Sequence, residues 1–96
     1  MLIVASHQPA QAAGSVQLGA ELAQRLCASC HGIGRAERSP IPVATPFRRL
    51  EARVDLDDML DRLQKGIIAG HPEMPAFVLK EDEALAIVAY IRSLRD

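Results

Sequence analysis

Cys27-Ala28-Ser29-Cys30-His31 is the stretch of this 96-residue sequence in which nucleophilic and metal-ligating side chains crowd together. Thiols three positions apart on a helix share a face, so both can act on one partner. Three chemistries use such a pair. A dithiol redox centre places C-x-x-C at a helix N-terminus that follows a strand in an α/β fold, whereas here a helical pattern precedes the pair and strand patterns are lacking. A structural zinc site wants four ligands in paired clusters, and beyond the thiols the candidates are only the adjacent His31 and the distant His71. The third chemistry is covalent haem attachment, in which both thiols add to the vinyl groups and the next residue turns its imidazole onto the iron. One helical turn sets Cys27 and Cys30 under two edges of one macrocycle and leaves His31 beneath the metal.

A low-spin iron held this way needs a sixth ligand, and a thioether from the opposite side raises the reduction potential. Three methionines are available. Met1 is a start residue, and Met59 lies among Leu56, Leu60 and Leu63 at helical spacing, which assigns it to core packing. Met74 sits instead in His71-Pro72-Glu73-Met74-Pro75-Ala76-Phe77, a proline-stiffened loop well downstream of the cysteines. His71 is its rival, because imidazole is also a good iron ligand.

The elements that must position these residues are helical. Leu18, Leu22 and Leu26 recur every four residues, with Val16, Ala20 and Ala23 beside them, which predicts an amphipathic helix from about Val16 to Ala28 that runs into the cysteines. From Gly32 to Val54 glycines and prolines punctuate the chain and no period survives, so a long loop is expected. Asp55 and Asp58 resemble a capping pair ahead of Leu56, Met59, Leu60 and Leu63, and Gly66 supplies the stop. Glu81, Asp82 and Glu83 put negative charge at the start of a last helix whose apolar side is Leu85, Ile87, Val88, Ile91 and Leu94, with Arg92 and Arg95 at its end. No alternating strand of useful length occurs. The fold class read from these patterns is all-α, and the chain is too short for a second core.

Composition leaves the middle of such a fold underfilled. Hydrophobic residues make up 49% of the sequence but aromatics only 3%, namely Phe47, Phe77 and Tyr90. A large flat apolar cofactor would supply what the side chains do not, and its binding to the folded state alone would add directly to stability. Eleven basic residues against twelve acidic ones argue against a nucleic-acid partner, which would demand a basic excess. The charge is nonetheless divided: residues 21–53 carry six Arg and three Glu, a net of +3, and residues 55–96 carry five basic and nine acidic groups, a net of −4. No apolar run approaches the roughly 18 residues that span a bilayer, so no stable membrane insertion is expected.

Taken together, the N-terminal helix ending in Cys27-Ala28-Ser29-Cys30-His31, the Met74-Pro75-x-Phe77 loop and the closing Ala89-Tyr90-Ile91-Arg92-Ser93-Leu94 resemble the small bacterial class I cytochromes c from about Val16 to Leu94. The resemblance implies three to four helices and long loops wrapped around one covalent haem c, with Cys27 and Cys30 attaching it and His31 and Met74 binding the iron. It implies that the first and last helices cross at Gly19 and Tyr90, and that a proline carbonyl after the haem motif, from Pro40 or Pro42, steadies the His31 ring. Family members contact a haem propionate through a Trp; this sequence has none, so a Tyr, an Arg or a backbone group must take over, with Arg48, Arg49 and Arg53 as candidates. With only Lys65 and Lys80 present, the lysine-ringed haem edge of mitochondrial members is absent.

The function implied is one-electron transfer without transformation of a substrate, so that no catalytic residue is expected and the protein is not an enzyme. Partners would be transient redox proteins such as dehydrogenases, oxidases or other cytochromes, met by a monomer. The alternatives are a carrier dedicated to one dehydrogenase or oxidase, and a ligand-binding or peroxidase-like haem domain in which Met74 is displaced. Residues 1–12, uncharged and ending in the small-residue junction Ala10-Gln11-Ala12, read as the remnant of a secretory signal, with residues 13–96 as the cytochrome domain. Because bacterial cytochromes c receive haem after export, the resemblance implies a periplasmic location.

Overall fold

An 18-residue helix, α1 (Pro9–Leu26), opens the computed structural model of the protein, which describes residues 9–66 and 74–95. Periodicity places the start of this helix at Val16, but the Ala-rich backbone ahead of it has high helix propensity, and proline suits a first helical turn. Its other end stops short of the expected Ala28, because the chain winds into a turn. The Cys27 and Ala28 N–H groups both donate to the Ala23 carbonyl, at 2.9 and 3.0 Å.

Three further helices follow: α2 (Phe47–Leu50), α3 (Leu56–Lys65) and α4 (Glu81–Ser93), with no strand among the described residues. The fold is all-α, as the patterns predict. The short α2 falls inside the expected loop. Its four residues are too few to show a period, yet Phe47 and Leu50 are both buried and anchor that loop to the core. In α3 the Asp55 carboxylate caps the helix by accepting from the Asp57 and Asp58 N–H groups at 2.8 and 3.3 Å, and Gly66 ends it in the left-handed region at φ 74°. Asp58 does not close the box; its carboxylate turns along the helix to Arg62 at 2.9 Å. The reciprocal contact appears in α4, where the Glu83 carboxylate reaches back to the Lys80 N–H at 3.0 Å.

The buried face of α4 leaves out Leu85, which was expected in it, and takes in Ala84 and Ala86, which were not. Ala84, Ile87, Val88 and Ile91 are all buried, whereas Leu85 is 46% exposed. Positions 84, 87, 88 and 91 form a single helical stripe, and position 85 lies about 100° off its first member.

Helix α4 packs chiefly against α1. Gly19 is the point of closest approach: a Cβ there would run into the Ala86 carbonyl oxygen and stand 2.8 Å from the Tyr90 Cβ. The crossing expected at Gly19 and Tyr90 is therefore present, with Leu22 and Ala23 buried alongside it. The Ala86 carbonyl cannot rotate aside, so Gly19→Ala separates the two helices. Overpacking of this kind costs about 1–3 kcal/mol, more than the roughly 1 kcal/mol that Ala gains over Gly in helix propensity. The urea midpoint of the haem-loaded Gly19→Ala protein should fall; an unchanged or higher midpoint would show that the crossing has slack.

Candidate functional site

The cysteine turn is built by backbone bonds that continue α1 for one more loop of chain. The Cys30 and His31 N–H groups donate to the Cys27 carbonyl at 3.1 and 2.9 Å, which brings both thiols and the imidazole to one side. Immediately after, the chain must fold back on itself. Gly32 permits this, since a Cβ would lie 2.6 Å from the Glu37 carbonyl oxygen and 2.7 Å from that of Arg38. Its N–H donates to Ser39 Oγ at 3.0 Å, and the Ile33 and Gly34 N–H groups donate to the Glu37 carboxylate at 3.2 and 2.9 Å.

This folded loop is tied to the helices on two sides. The Gly32 carbonyl accepts from the Phe47 N–H at 2.8 Å, the first residue of α2. The Ile33 carbonyl accepts from the Tyr90 hydroxyl at 2.7 Å, and Arg35 donates to the Ser93 carbonyl at 3.0 Å. Burial, with the Glu37 carboxylate adding to it, raises the Tyr90 phenol above its ordinary pKa. A raised phenol favours the native state below its ordinary pKa and gives up that contribution as pH climbs past it. Tyr90 thus joins the α1–α4 crossing to the loop that carries His31.

His31 Nδ1 lies 2.6 Å from the Thr45 carbonyl oxygen. A carbonyl only accepts, so Nδ1 carries the proton and Nε2 is left with its lone pair, the form in which imidazole binds a metal. The acceptor expected from Pro40 or Pro42 is therefore supplied by Thr45. The path of the loop decides this, because every residue offers a carbonyl. Phe47 stacks at a tilt beside the ring, with centroids 5.5 Å apart, and itself meets Tyr90 at 6.4 Å. Sequence reading passed over Thr45 and gave Phe47 no role; a backbone acceptor leaves no mark in a sequence.

A cavity of about 580 Å³ opens beside the turn, and Cys27, Cys30, His31 and Met74 all line it. The four residues that sequence singles out are thus brought to one space from two ends of the chain. Met74 enters from the segment after α3, partly buried against the core. Its rival His71 lies outside the described residues. Met59 is buried in the core as expected, and it also forms part of the cavity wall. Of the arginines considered for haem carboxylates, Arg53 lines the cavity. Arg48 does not; it donates to the Glu37 carbonyl at 2.7 Å, and Arg49 is not part of the lining.

The electrostatics of the thiols fit this use better than dithiol redox chemistry. Burial, reinforced by the neighbouring Cys30, pushes the Cys27 thiol up to about 11. A dithiol catalyst needs the opposite, a thiol whose pKa is depressed. Zinc is no better served, since no cluster of three or more His, Cys, Asp or Glu side chains suited to a metal occurs among the described residues. A haem fits: the space lies within the usual range of ligand cavities, about 300–1,000 Å³, and combines two thiols, an oriented imidazole and a thioether within an apolar lining.

Residues 14–91 match the family described as cytochrome c oxidase, cbb3-type, subunit III. The chain is also 36% identical over 95 residues to cytochrome c-552 of Bradyrhizobium diazoefficiens, an alignment that takes in 99% of this chain and 89% of the relative. No solved structure matches it.

Proposed function

The chain belongs to the c-type cytochrome family, and from that premise we propose the residue roles through which it works. It is a monohaem cytochrome that transfers electrons and carries one covalent haem c. Cys27 and Cys30 would hold the haem through two thioether links, and His31 and Met74 would bind its iron. The observation that carries this assignment is the convergence of all four on one cavity, with the Thr45 carbonyl fixing the His31 ring. When bound, the haem supplies an iron that alternates between ferric and ferrous states; no substrate is transformed.

The protein's own residues set the terms of that exchange. Thr45 holds the His31 tautomer and ring orientation, so the ligand does not turn when the charge changes. Phe47, Leu50 and Leu63, all buried, wall the site with apolar surface and limit water there. Ile41 and Val43, 40% and 55% exposed, stand at the mouth of the cavity, where a redox partner could approach closely. Small, weak interfaces suit such brief encounters. The partners are transient redox proteins, such as dehydrogenases, oxidases or other cytochromes, and the protein meets them as a monomer.

No described helix is long and apolar enough to cross a membrane. The working compartment is the periplasm, and the mature domain is residues 13–96, a reading supported by the small-residue junction at Ala10-Gln11-Ala12. The direct test is an absorption spectrum of the reduced protein together with its intact mass under denaturing conditions. Sharp c-type bands and the mass of residues 13–96 plus one haem are expected. A haem that separates on denaturation would remove the thioether assignment, and a haem-bearing chain retaining Met1 in the cytoplasm would refute the location.

A further inference from the structure

We propose that the cleft between Arg38 and Arg48 is a binding site for a small, doubly charged oxyanion of the phosphate class. It lies apart from the haem cavity. The chain between these two arginines forms a partition: Ile41, Val43 and Thr45 line the haem cavity, whereas Ser39, Pro42 and Pro46 line a second cavity of about 300 Å³ together with Arg38 and Arg48. Ala44 is common to both linings. Backbone bonds hold the partition in place, from the Ile41 N–H to the Cys30 carbonyl at 3.2 Å and from the Phe47 N–H to the Gly32 carbonyl at 2.8 Å.

Both charged residues of the second cavity are cations, and no acid lines it. Two guanidinium groups around one space repel each other, and an anion between them turns that repulsion into attraction. Arg38 makes no hydrogen bond or ion pair with any described residue. Arg48 donates from one nitrogen to the Glu37 carbonyl at 2.7 Å, which leaves its other N–H donors. The acid next to Arg38 in sequence is committed elsewhere, since Glu37 Oε1 accepts from the Ile33 and Gly34 N–H groups at 3.2 and 2.9 Å. Ser39 supplies a further donor: its Oγ accepts from the Gly32 N–H at 3.0 Å, and its own O–H remains to donate. Two forked guanidinium groups and a hydroxyl suit a tetrahedral oxyanion, which offers more oxygens and more charge than a planar carboxylate. The volume stands at the lower end of the usual range for ligand sites, about 300–1,000 Å³, a space for a small ion. Pro42 and Pro46 stiffen its walls, so little order has to be imposed on binding.

The test is a titration of the ferrous, haem-loaded, nitrogen-15-labelled protein with inorganic phosphate at mildly alkaline pH, with chloride keeping the ionic strength constant because exposed charges are screened by salt. Saturable shifts are expected at the Arg38, Ser39 and Ala44 amides and at the Arg48 Nε–H. Arg38→Gln and Arg48→Gln should each weaken binding roughly fivefold or more. Arg49→Gln removes an exposed charge outside both linings and should leave the affinity unchanged. Arg38→Gln is the decisive variant, since Arg48→Gln also removes the contact with Glu37. Acetate, a planar monoanion, should fail to saturate the same signals. A phosphate monoester such as glycerol phosphate separates the two sources of this chemistry: tighter binding than inorganic phosphate assigns the site to an organic ester, and equal or weaker binding assigns it to the free ion. Shifts that never saturate, an equal loss in Arg49→Gln, or acetate binding as tightly as phosphate would overturn the proposal. The c-type bands of the same samples report on the haem separately.

Discussion

Protein produced without haem should show little of the helical circular dichroism of the loaded form and no cooperative thermal transition. The cavity measures about 580 Å³ and lies against the core residues Phe47, Leu50, Met59, Leu63 and Ile87. Apolar side chains that face this space lack the contacts a bound haem would supply, and a domain of this size holds only a small margin of stability. The same conclusion follows from composition: three aromatic residues cannot fill the space between α1, α3 and α4. Far-UV spectra of a Cys27→Ser/Cys30→Ser protein freed of haem provide the check. Native-like helix with a sharp melt would mean that the side chains alone make a sufficient core, and the account of stability offered here would fail.

The parts of this design that sequence displays are those fixed by local rules. Cys27-Ala28-Ser29-Cys30-His31 is legible because attachment to one macrocycle requires one helical turn. Asp55 and Gly66 mark the ends of α3 through capping and left-handed backbone, effects that act within a few residues. Gly19 and Tyr90 could be paired only by resemblance, since nothing in a single sequence says which helix a small residue meets. What escaped reading depends on the path of the chain in space. Thr45 serves His31 through its carbonyl, and its side-chain identity is silent on that point. Helix α2 is too brief to repeat, although it buries Phe47 against both His31 and Tyr90. Arg48, Arg49 and Arg53 are alike as sequence, and only the fold separates the one that edges the cavity from the one held by Glu37. Leu85 was misplaced for a related reason: Ala84 and Ala86 bury as completely as leucines but give a weak hydrophobic signal.

Replacing Met74 with alanine should produce the largest change in redox behaviour of any single substitution here. Met74 is the thioether placed at the cavity outside the core, in a segment stiffened by Pro75 and followed by Phe77, which packs against the core cluster. A thioether favours ferrous iron, and axial ligands command a potential span of roughly 0.8 V across haem proteins. Its loss should lower the midpoint by on the order of a tenth of a volt or more and abolish the weak far-red ferric absorption that a thioether ligand gives. The vacated position should also bind carbon monoxide rapidly at neutral pH, whereas the parent protein resists it. That resistance distinguishes an electron carrier from a ligand-binding or peroxidase-like domain; rapid binding by the unmodified protein would favour the latter. His71 stands three residues away in sequence and is the control. His71→Ala should leave the far-red band and the midpoint nearly unchanged, because the proline after Met74 matches the ligand position of the family loop. Loss of the band in His71→Ala, with Met74→Ala retaining it, would transfer the iron to the imidazole. A His/His centre would then carry a lower potential and call for a different class of partner.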